Sequence, residues 1–290
     1  MLIAMPVSIA ELEAAAAQGW RAPEEAPLGG WLLRAAEGFT GRANSALAVG
    51  DPGLPLADAV TMVCDWYAAR GLPPMIAIPH PLDRAGDSRL DRFLGRRGWG
   101  VRSGTAVVMT AATADVARCG PAEAADLRPE PDQAWLDRYH GYRRQLPSVA
   151  RRLLVSAPFQ AFASIRRAGG TVAIGRVAVA AGWGGLSAVA VHPGHRRAGL
   201  ATAIGAALAG AAAGQGAARL YLQVEEDNTP ALALYARCGF TGHHRYHYRI
   251  APGVVAWGSD PPGTPRDADG AWPASRQAPS PADTAGLNQR

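Results

Sequence analysis

Apolar positions recur along this chain with two periods, and the switches between them outline its elements. Residues 8–18 open with Ser8 and carry Glu11 three positions later, a capping box, and they stop at Gly19; a short helix is predicted. Residues 30–36 and 45–49 read as short strands separated by the Gly- and Asn-containing stretch GFTGRAN. Apolar residues at 56, 59, 60, 63, 66 and 67 keep helical spacing until Gly71 and Pro73–Pro74 end the element. Residues 75–78 predict a strand, 90–96 a helix closed by Gly98, and 101–109 a strand.

The second half repeats this plan more clearly. Residues 135–146 and 149–156 predict helices, and 162–167 and 171–181 are β-rich, joined by the hairpin pair Gly169–Gly170. A strand over 186–191, a helix over 200–213, a strand over 220–224, a helix over 230–237 and a strand over 243–250 follow. An echo links the halves. FLGRRGW (93–99) and LYARCGF (234–240) share an apolar helix end, an Arg, a Gly and an aromatic, and each follows a short apolar strand. Two copies of one α/β module are therefore expected. From Ala251 onward there are seven prolines in 40 residues and no periodicity. Such a tail buries too little apolar surface to offset its ordering entropy, so residues 251–290 are expected to be disordered.

Composition adds bounds. Of the 290 residues, 48% are hydrophobic and 18% charged, which suits a globular protein of one large or two ordinary domains. All 29 basic side chains are Arg, and 61 residues are Ala, a bias typical of a GC-rich coding background. The net charge of +5 is spread along the chain, with nothing longer than pairs such as Arg143–Arg144, Arg151–Arg152 and Arg166–Arg167. Dispersed charge reads as solvated surface, so no nucleic-acid partner is expected, while a polyanionic small ligand stays open. Cys64, Cys119 and Cys238 are few, odd in number and unpatterned, and read as reduced thiols with neither a disulfide frame nor a zinc site. The first 20 residues lack a basic n-region and carry Glu11 and Glu13, unlike a signal peptide. The apolar run over 200–213 is too short and too rich in Ala and Gly to span a bilayer. A cytoplasmic protein with no membrane partner is the expectation.

The chemistry concentrates in SAVAVHPGHRRAGLATAIGAAL, residues 187–208. A strand runs through the Pro193–Gly194 turn into a loop, Arg196, Arg197, Ala198 and Gly199, that opens directly into a small-residue helix. First-turn amides without partners, the positive end of the helix dipole and two guanidinium groups make an anion cradle. An ordinary strand–turn–helix with two surface arginines is the competing reading.

Arg196-Arg197-Ala198-Gly199-Leu200-Ala201 resembles the R/Q-x-x-G-x-G/A loop of the GNAT superfamily, the acyl-CoA-dependent N-acyltransferases. LQVEEDNTPALALYARCGF (222–240) is similar to that superfamily's second signature: a strand, an Asn, then a helix with a Tyr that ends in Gly–Phe. The resemblance covers residues 130–250, and the first half looks like a diverged copy, as in tandem GNAT proteins. There Leu94 stands where Tyr235 falls, and no Arg/Gly loop occurs. The resemblance implies an α/β (α+β) fold of two GNAT-like modules, each a mixed, mostly antiparallel sheet flanked by helices. It places a non-catalytic module at 1–115, a connector at 116–129 and the catalytic domain at 130–250.

It further implies acetyl-CoA as co-substrate and a primary-amine acceptor, joined by direct attack in a ternary complex that needs no metal. The backbone of Val189, Ala190 and Val191 would meet the pantetheine arm. Arg196 and Arg197 would contribute charge, and Arg197, Ala198, Gly199, Leu200, Ala201 and Thr202 would hold the pyrophosphate. Asn228 would bond the pantetheine region, and Tyr235 would protonate the departing thiolate. Such chemistry needs the reactants held together, the carbonyl polarised by a backbone N–H, and two protons managed.

No base is legible with equal force. Some relatives, such as ribosomal-protein alanine acetyltransferases, carry Glu at the position of Gln223, and an amide cannot take a proton. Glu225 is the preferred candidate, with Glu226, His192 and a water chain as alternatives. His243, His244 and His247 look like a metal cluster. Strand alternation puts His243 and His247 on one face and His244 on the other, and no metal is expected. Trp135, Tyr139 and Tyr142 lie where this fold often binds its acceptor, though core packing explains them better. A mycothiol-synthase-like enzyme and a non-catalytic acyl-CoA-binding module remain as alternatives.

Overall fold

The computed structural model describes residues 7–84, 88–102, 104–121, 125–141 and 146–253. The chain divides into two compact units, 1–259 and 260–290, and the second lies outside the described residues together with most of the Pro-rich tail.

The first unit begins with α1 (Ile9–Gly19), whose capping box forms: Glu11 N–H donates to Ser8 Oγ at 3.2 Å and Ser8 N–H to Glu11 Oε2 at 2.8 Å. Then come β1 (Glu24–Leu28), β2 (Trp31–Ala35), β3 (Ala46–Leu47), α2 (Leu56–Ala68), β4 (Met75–His80), α3 (Arg89–Arg96), β5 (Gly100–Val101) and β6 (Ala106–Ala112). Next are α4 (Thr113–Cys119), β7 (Asp126–Arg128), α5 (Gln133–His140), α6 (Val149–Leu154), β8 (Phe159–Arg167), β9 (Gly170–Ala180) and β10 (Trp183–Val191). The chain then forms α7 (Leu200–Gly214), β11 (Arg219–Glu225), α8 (Thr229–Arg237) and β12 (Thr241–Ile250).

These strands build one mixed sheet in the order β1-β2-β3-β4-β12-β6-β11-β10-β9-β8-β7, with β5 paired to β12. Among the described residues only β3·β4 and β10·β11 run parallel; the other pairs are antiparallel. Period-2 alternation sends Val107, Met109, Leu220, Leu222 and Val224 to one face, under α4 and α7. It sends Ala106, Val108, Tyr221, Tyr246 and Tyr248 to the other face, under α1. α2 and α3 cover β2 and β4 with Val60, Val63 and Leu94, and α5 and α6 cover β8 and β9 with Trp135, Tyr139, Leu153 and Leu154.

A buried cation ties the layers together. Arg176 of β9, 1% exposed, donates to the Leu154 carbonyl at 2.6 Å and the Gly19 carbonyl at 3.1 Å, so it clamps the ends of α6 and α1. Burial pushes its guanidinium down to about 10, still protonated at neutral pH.

The chain departs from sequence expectation in three ways. The strand expected over 101–109 is two, β5 and β6. β1, α4 and β7 were not foreseen. Finally, Cys119 and Cys238, read as reduced thiols, are disulfide-bonded, and only Cys64 is free. The pairing is invisible in sequence because α4 itself carries too short a pattern to be predicted. Once formed, α4 sets Cys119 beside the C-terminal cap of α8.

That link closes a loop of 119 residues. Cys119→Ser should lower the unfolding free energy by about 3 kcal/mol, read as a fall in the urea midpoint. Reductant should do the same to the parent protein, while Cys64→Ser leaves the midpoint in place. An unchanged midpoint under reductant would mean that the two thiols are not joined in solution.

Candidate functional site

β10 and β11 share a ladder only over Trp183↔Arg219, Gly184↔Leu220 and Gly185↔Tyr221. Beyond Gly185 they part. β10 stays attached to β9 on its other side, through Ala190↔Ile174 and Val191↔Ala173, after a bulge between Ser187 and Ala190. At that bulge Ala188 takes a left-handed φ of 56°. Val189, Ala190 and Val191 therefore line the opening with one backbone edge that no neighbouring strand pairs. The Ser187 hydroxyl is buried at its mouth with no hydrogen-bond partner among the described residues.

The cleft runs into the Arg-rich loop. Pro193–His195 makes one turn of 3-10 helix, and the His192 ring accepts from Gly194 N–H at 3.2 Å. Arg197 (φ 61°) and Gly199 (φ 76°) are both left-handed, which turns successive amides toward one concave side. Gly199 caps α7 without a side-chain bond, so the first-turn amides of Leu200, Ala201 and Thr202 have no acceptor within the helix. Thr202 Oγ1 donates to the Gly199 carbonyl at 2.7 Å. Arg196, Arg197 and Ala198 are exposed, whereas Leu200 is buried and offers only its backbone. Behind this turn α4 comes so close that a Cβ at Gly120 would lie 2.5 Å from the Thr202 carbonyl oxygen. The residues fit a phosphate group: a nest of amides, a dipole and flanking cations at the end of an open backbone edge.

α8 borders the same opening. Asn228 is its N-cap, with Oδ1 accepting from Ala231 N–H at 3.2 Å, so its carboxamide oxygen already has a structural task. Tyr235, one face of which packs edge-on to Phe240 at 5.7 Å, belongs to the α7 side of the sheet. Burial pushes its phenol up to about 12.

Glu225 ends β11, exposed. Strand alternation places it with Tyr221 and Gln223 on the α1 side, on the opposite face from Tyr235. Glu226 is engaged by Arg245 at 3.0 Å. Gln223 accepts from the Tyr246 hydroxyl at 3.1 Å, and both line a recess with Glu13, Trp20, Arg42 and Tyr248. Sequence reasoning missed this recess. The available signal was Glu13, a carboxylate set next to Leu12 within the buried stripe of α1.

The histidine run corrects one expectation. A bulge between Gly242 and His244 turns His243 toward His244, whose ring it meets at 5.0 Å, so His243 and His247 do not share a face. His244 bonds Glu13 under α1, while His247 bonds Asp91 of α3 on the other side. Burial acts to raise the Asp91 carboxyl, but the bonds from Arg249 and His247 outweigh it and hold it below the ordinary range. No group of three metal-ligating side chains occurs among the described residues. Trp135 and Tyr139 are core residues, stacked at 5.2 Å and packed on Phe162. Tyr142 lies outside the described residues, and no described helix is long and apolar enough to cross a membrane.

Residues 7–249 match the family model described as the C-terminal region of the probable histone acetyltransferase Rv0428c. The chain is 32% identical over 258 residues to the probable histone acetyltransferase Rv0428c of Mycobacterium tuberculosis, spanning 85% of this chain and 75% of that one. It is 30% identical over 261 residues to YobR, an uncharacterized N-acetyltransferase of Bacillus subtilis, spanning 83% of this chain and 98% of that one. A GCN5-related N-acetyltransferase from Kribbella flavida superposes with a TM-score of 0.62 at 18% identity, over 87% of this chain and 98% of its own. At that identity the likeness is one of fold.

The burial of Tyr235 has a spectroscopic consequence. The phenolate absorbance that Tyr235→Phe removes should titrate at about pH 12. A component removed at the ordinary phenol value near about 10 would contradict this account of its surroundings.

Proposed function

The chain belongs to the acetyltransferase family represented by the C-terminal region of Rv0428c and is of the GNAT type; from that premise we propose that residues 130–250 move an acetyl group from acetyl-CoA directly to a primary amine. The observation that carries this reading is the parting of β10 from β11 beyond Gly185, with the left-handed pair Arg197 and Gly199 at its end.

In this reading the free edge of Val189, Ala190 and Val191 bonds the pantetheine arm as an extra strand would. One of these amides polarises the thioester carbonyl, an interaction worth about 3 kcal/mol in comparable sites. The nest from Arg197 to Thr202 holds the pyrophosphate, and Arg196 adds charge beside it. Asn228 serves chiefly by capping α8 and so fixing the direction of Tyr235. A phenol at about 12 stays protonated and donates a hydrogen bond to the departing sulfur. Full transfer to an alkyl thiolate is uphill, because its conjugate thiol is a stronger acid than a phenol at about 12. Glu225, exposed at the end of β11, is the simplest proton acceptor by position.

Residues 1–115 act in this proposal as a diverged copy with no acetyl-CoA site of its own, joined by a connector at 116–129. Support comes from identical helix endings: Trp99 N–H donates to the Leu94 carbonyl and Phe240 N–H to the Tyr235 carbonyl, each at 3.1 Å, around left-handed Gly98 and Gly239. The protein is cytoplasmic in this reading. Its acceptor is an amine of a metabolite, an aminoglycoside, a peptide N-terminus or a protein lysine; the name of the Mycobacterium tuberculosis relative points to the last. With no lysine of its own, the chain has no side-chain amine to acetylate.

Gln223, an amide engaged by Tyr246, favours a second reading: a module that binds acyl-CoA without turning it over. Thiol release from acetyl-CoA with a panel of amines separates the two. Amine-dependent turnover should fall about 100-fold in Tyr235→Phe. Gly199→Val, strained at a positive φ and set against Pro121, should abolish the thermal protection given by acetyl-CoA. Saturable binding with no turnover on any amine would establish the second reading, and no binding at all would refute both.

A further inference from the structure

We propose that Glu13, backed by His244 and His243, accepts the proton that the amine loses, in place of Glu225. The proposal rests on the acetyl-transfer reading above, and it follows from a row of residues that crosses three strands. Gln223 of β11 pairs with Val108 of β6, and Val108 pairs with His244 of β12. Gln223 stands two residues past Tyr221, the last residue of β11 paired to β10, and so at the edge of the open cleft. Gln223 and Tyr246 line one recess together with the Glu13 carboxylate, on the α1 face of the sheet.

From Glu13 a chain of hydrogen bonds leads outward. His244 Nε2 lies 2.8 Å from Glu13 Oε1, His244 Nδ1 lies 2.8 Å from His243 Nδ1, and His243 Nε2 lies 2.9 Å from the Val7 carbonyl oxygen. His244 is 0% exposed and Glu13 6%, whereas His243 is half-buried. Proton counting constrains the chain. Each of the three bonds needs one proton, and the Val7 oxygen can only accept, so His243 Nε2 carries a hydrogen. Two neutral imidazoles supply two protons; the third is shared among Glu13, His244 and His243. The three groups are joined by bonds along which a proton can move. A buried carboxylate with this backing is what a proton acceptor in a dry recess requires.

The groups that face Glu13 from the surrounding elements narrow the choice. Arg34 of β2 and Arg42 of the turn at Gly41–Ala43 bring fixed positive charge. Tyr221 of β11 and Tyr246 and Tyr248 of β12 are all raised by burial and remain neutral phenols. The Glu13–His244–His243 chain is left as the part of the recess that exchanges protons.

The step balances. An ammonium acceptor gives up two protons as the new C–N bond forms and the C–S bond breaks. One leaves with the thiol. The other enters at Glu13, and one proton returns from the chain to solvent after the amide has left, which restores the starting state.

Steady-state kinetics with acetyl-CoA and an active amine, from pH 6 to 10, test this. Glu13→Gln should keep the acetyl-CoA thermal protection but lose about 100-fold in kcat near neutral pH. The loss should shrink as pH rises and the amine arrives already deprotonated. Adding Gln223→Glu, which sets a carboxylate at the cleft end of the recess, should recover at least about tenfold. His243→Gln, at a half-buried position, should show the same pH-dependent deficit and decides the matter if Glu13→Gln does not fold. A deficit that is constant across pH, or parent-like profiles in both variants, would overturn the proposal while leaving acetyl transfer intact. No turnover by the parent protein on any amine would instead be the failure of the functional reading.

Discussion

The insertion of β6 between β11 and β12 is the constraint on which the rest of this structure depends. β11 gives up β10 after Gly185, and a strand that loses one neighbour at the centre of a sheet would ordinarily fray. Here its other edge pairs with β6 along all of Arg219–Glu225. The cleft can stay open because β11 is held from behind by a strand that the chain made more than 100 residues earlier. Its unpaired edge on β10 is likewise backed by β9. Backbone amides that are free and yet rigidly placed are costly in a folded protein unless a ligand or water meets them. That is why this feature, more than any side chain, marks the candidate site.

The same insertion organises the opposite face. With β6 in the middle, Gln223, Val108 and His244 fall into one row, and α1 lies across it carrying Glu13. Arg176 fixes the end of that helix through the Gly19 carbonyl, and its guanidinium lies 5.1 Å above the Trp20 ring. A buried carboxylate, two imidazoles and a guanidinium within one layer would destabilise the fold if any lacked partners. Their bonds are matched closely enough that breaking one group out exposes another. On the proposed proton path function and stability are coupled in this layer, which is why a pH profile separates them better than a melting temperature does.

The parts legible in the sequence are those with local causes. The capping box of α1, the Pro193–Gly194 turn, left-handed Gly199 and the twin endings at Gly98 and Gly239 all depend on residues within one turn of each other. The long strands β8 to β12 were legible for the same reason. β1, α4 and β7 were not, because runs this short carry no reliable period and form by docking on a sheet already built. The Cys119–Cys238 link, the bulge that turns His243 and the partnership of Glu13 with His244 depend on contacts between residues far apart in the chain. For Glu13 a local hint did exist, a charge in a buried stripe, but its partner lies 231 positions away. The geometry of the Arg196–Gly199 loop follows from neighbouring residues, whereas the pairing of Glu13 with His244 does not.

Tyr235 and Glu13 lie on opposite faces of one sheet, and that geometry restricts how two substrates meet. A packed sheet transmits nothing through its plane, so groups on its two sides act on one bond only where the sheet is open. Along β11 the described strands part beyond Tyr221, where Gln223 looks toward α1 and Val224 toward α7. On the proposed reading a thioester in that gap presents its sulfur to the Tyr235 side and its carbonyl carbon to the Gln223 side. The amine must then arrive from under α1, past the ring of Tyr246. Proton removal and thiolate stabilisation are thereby kept on separate faces. On this reading the half-buried phenol and the buried carboxylate cannot neutralise one another, and the parting of two strands would let both act on one carbon.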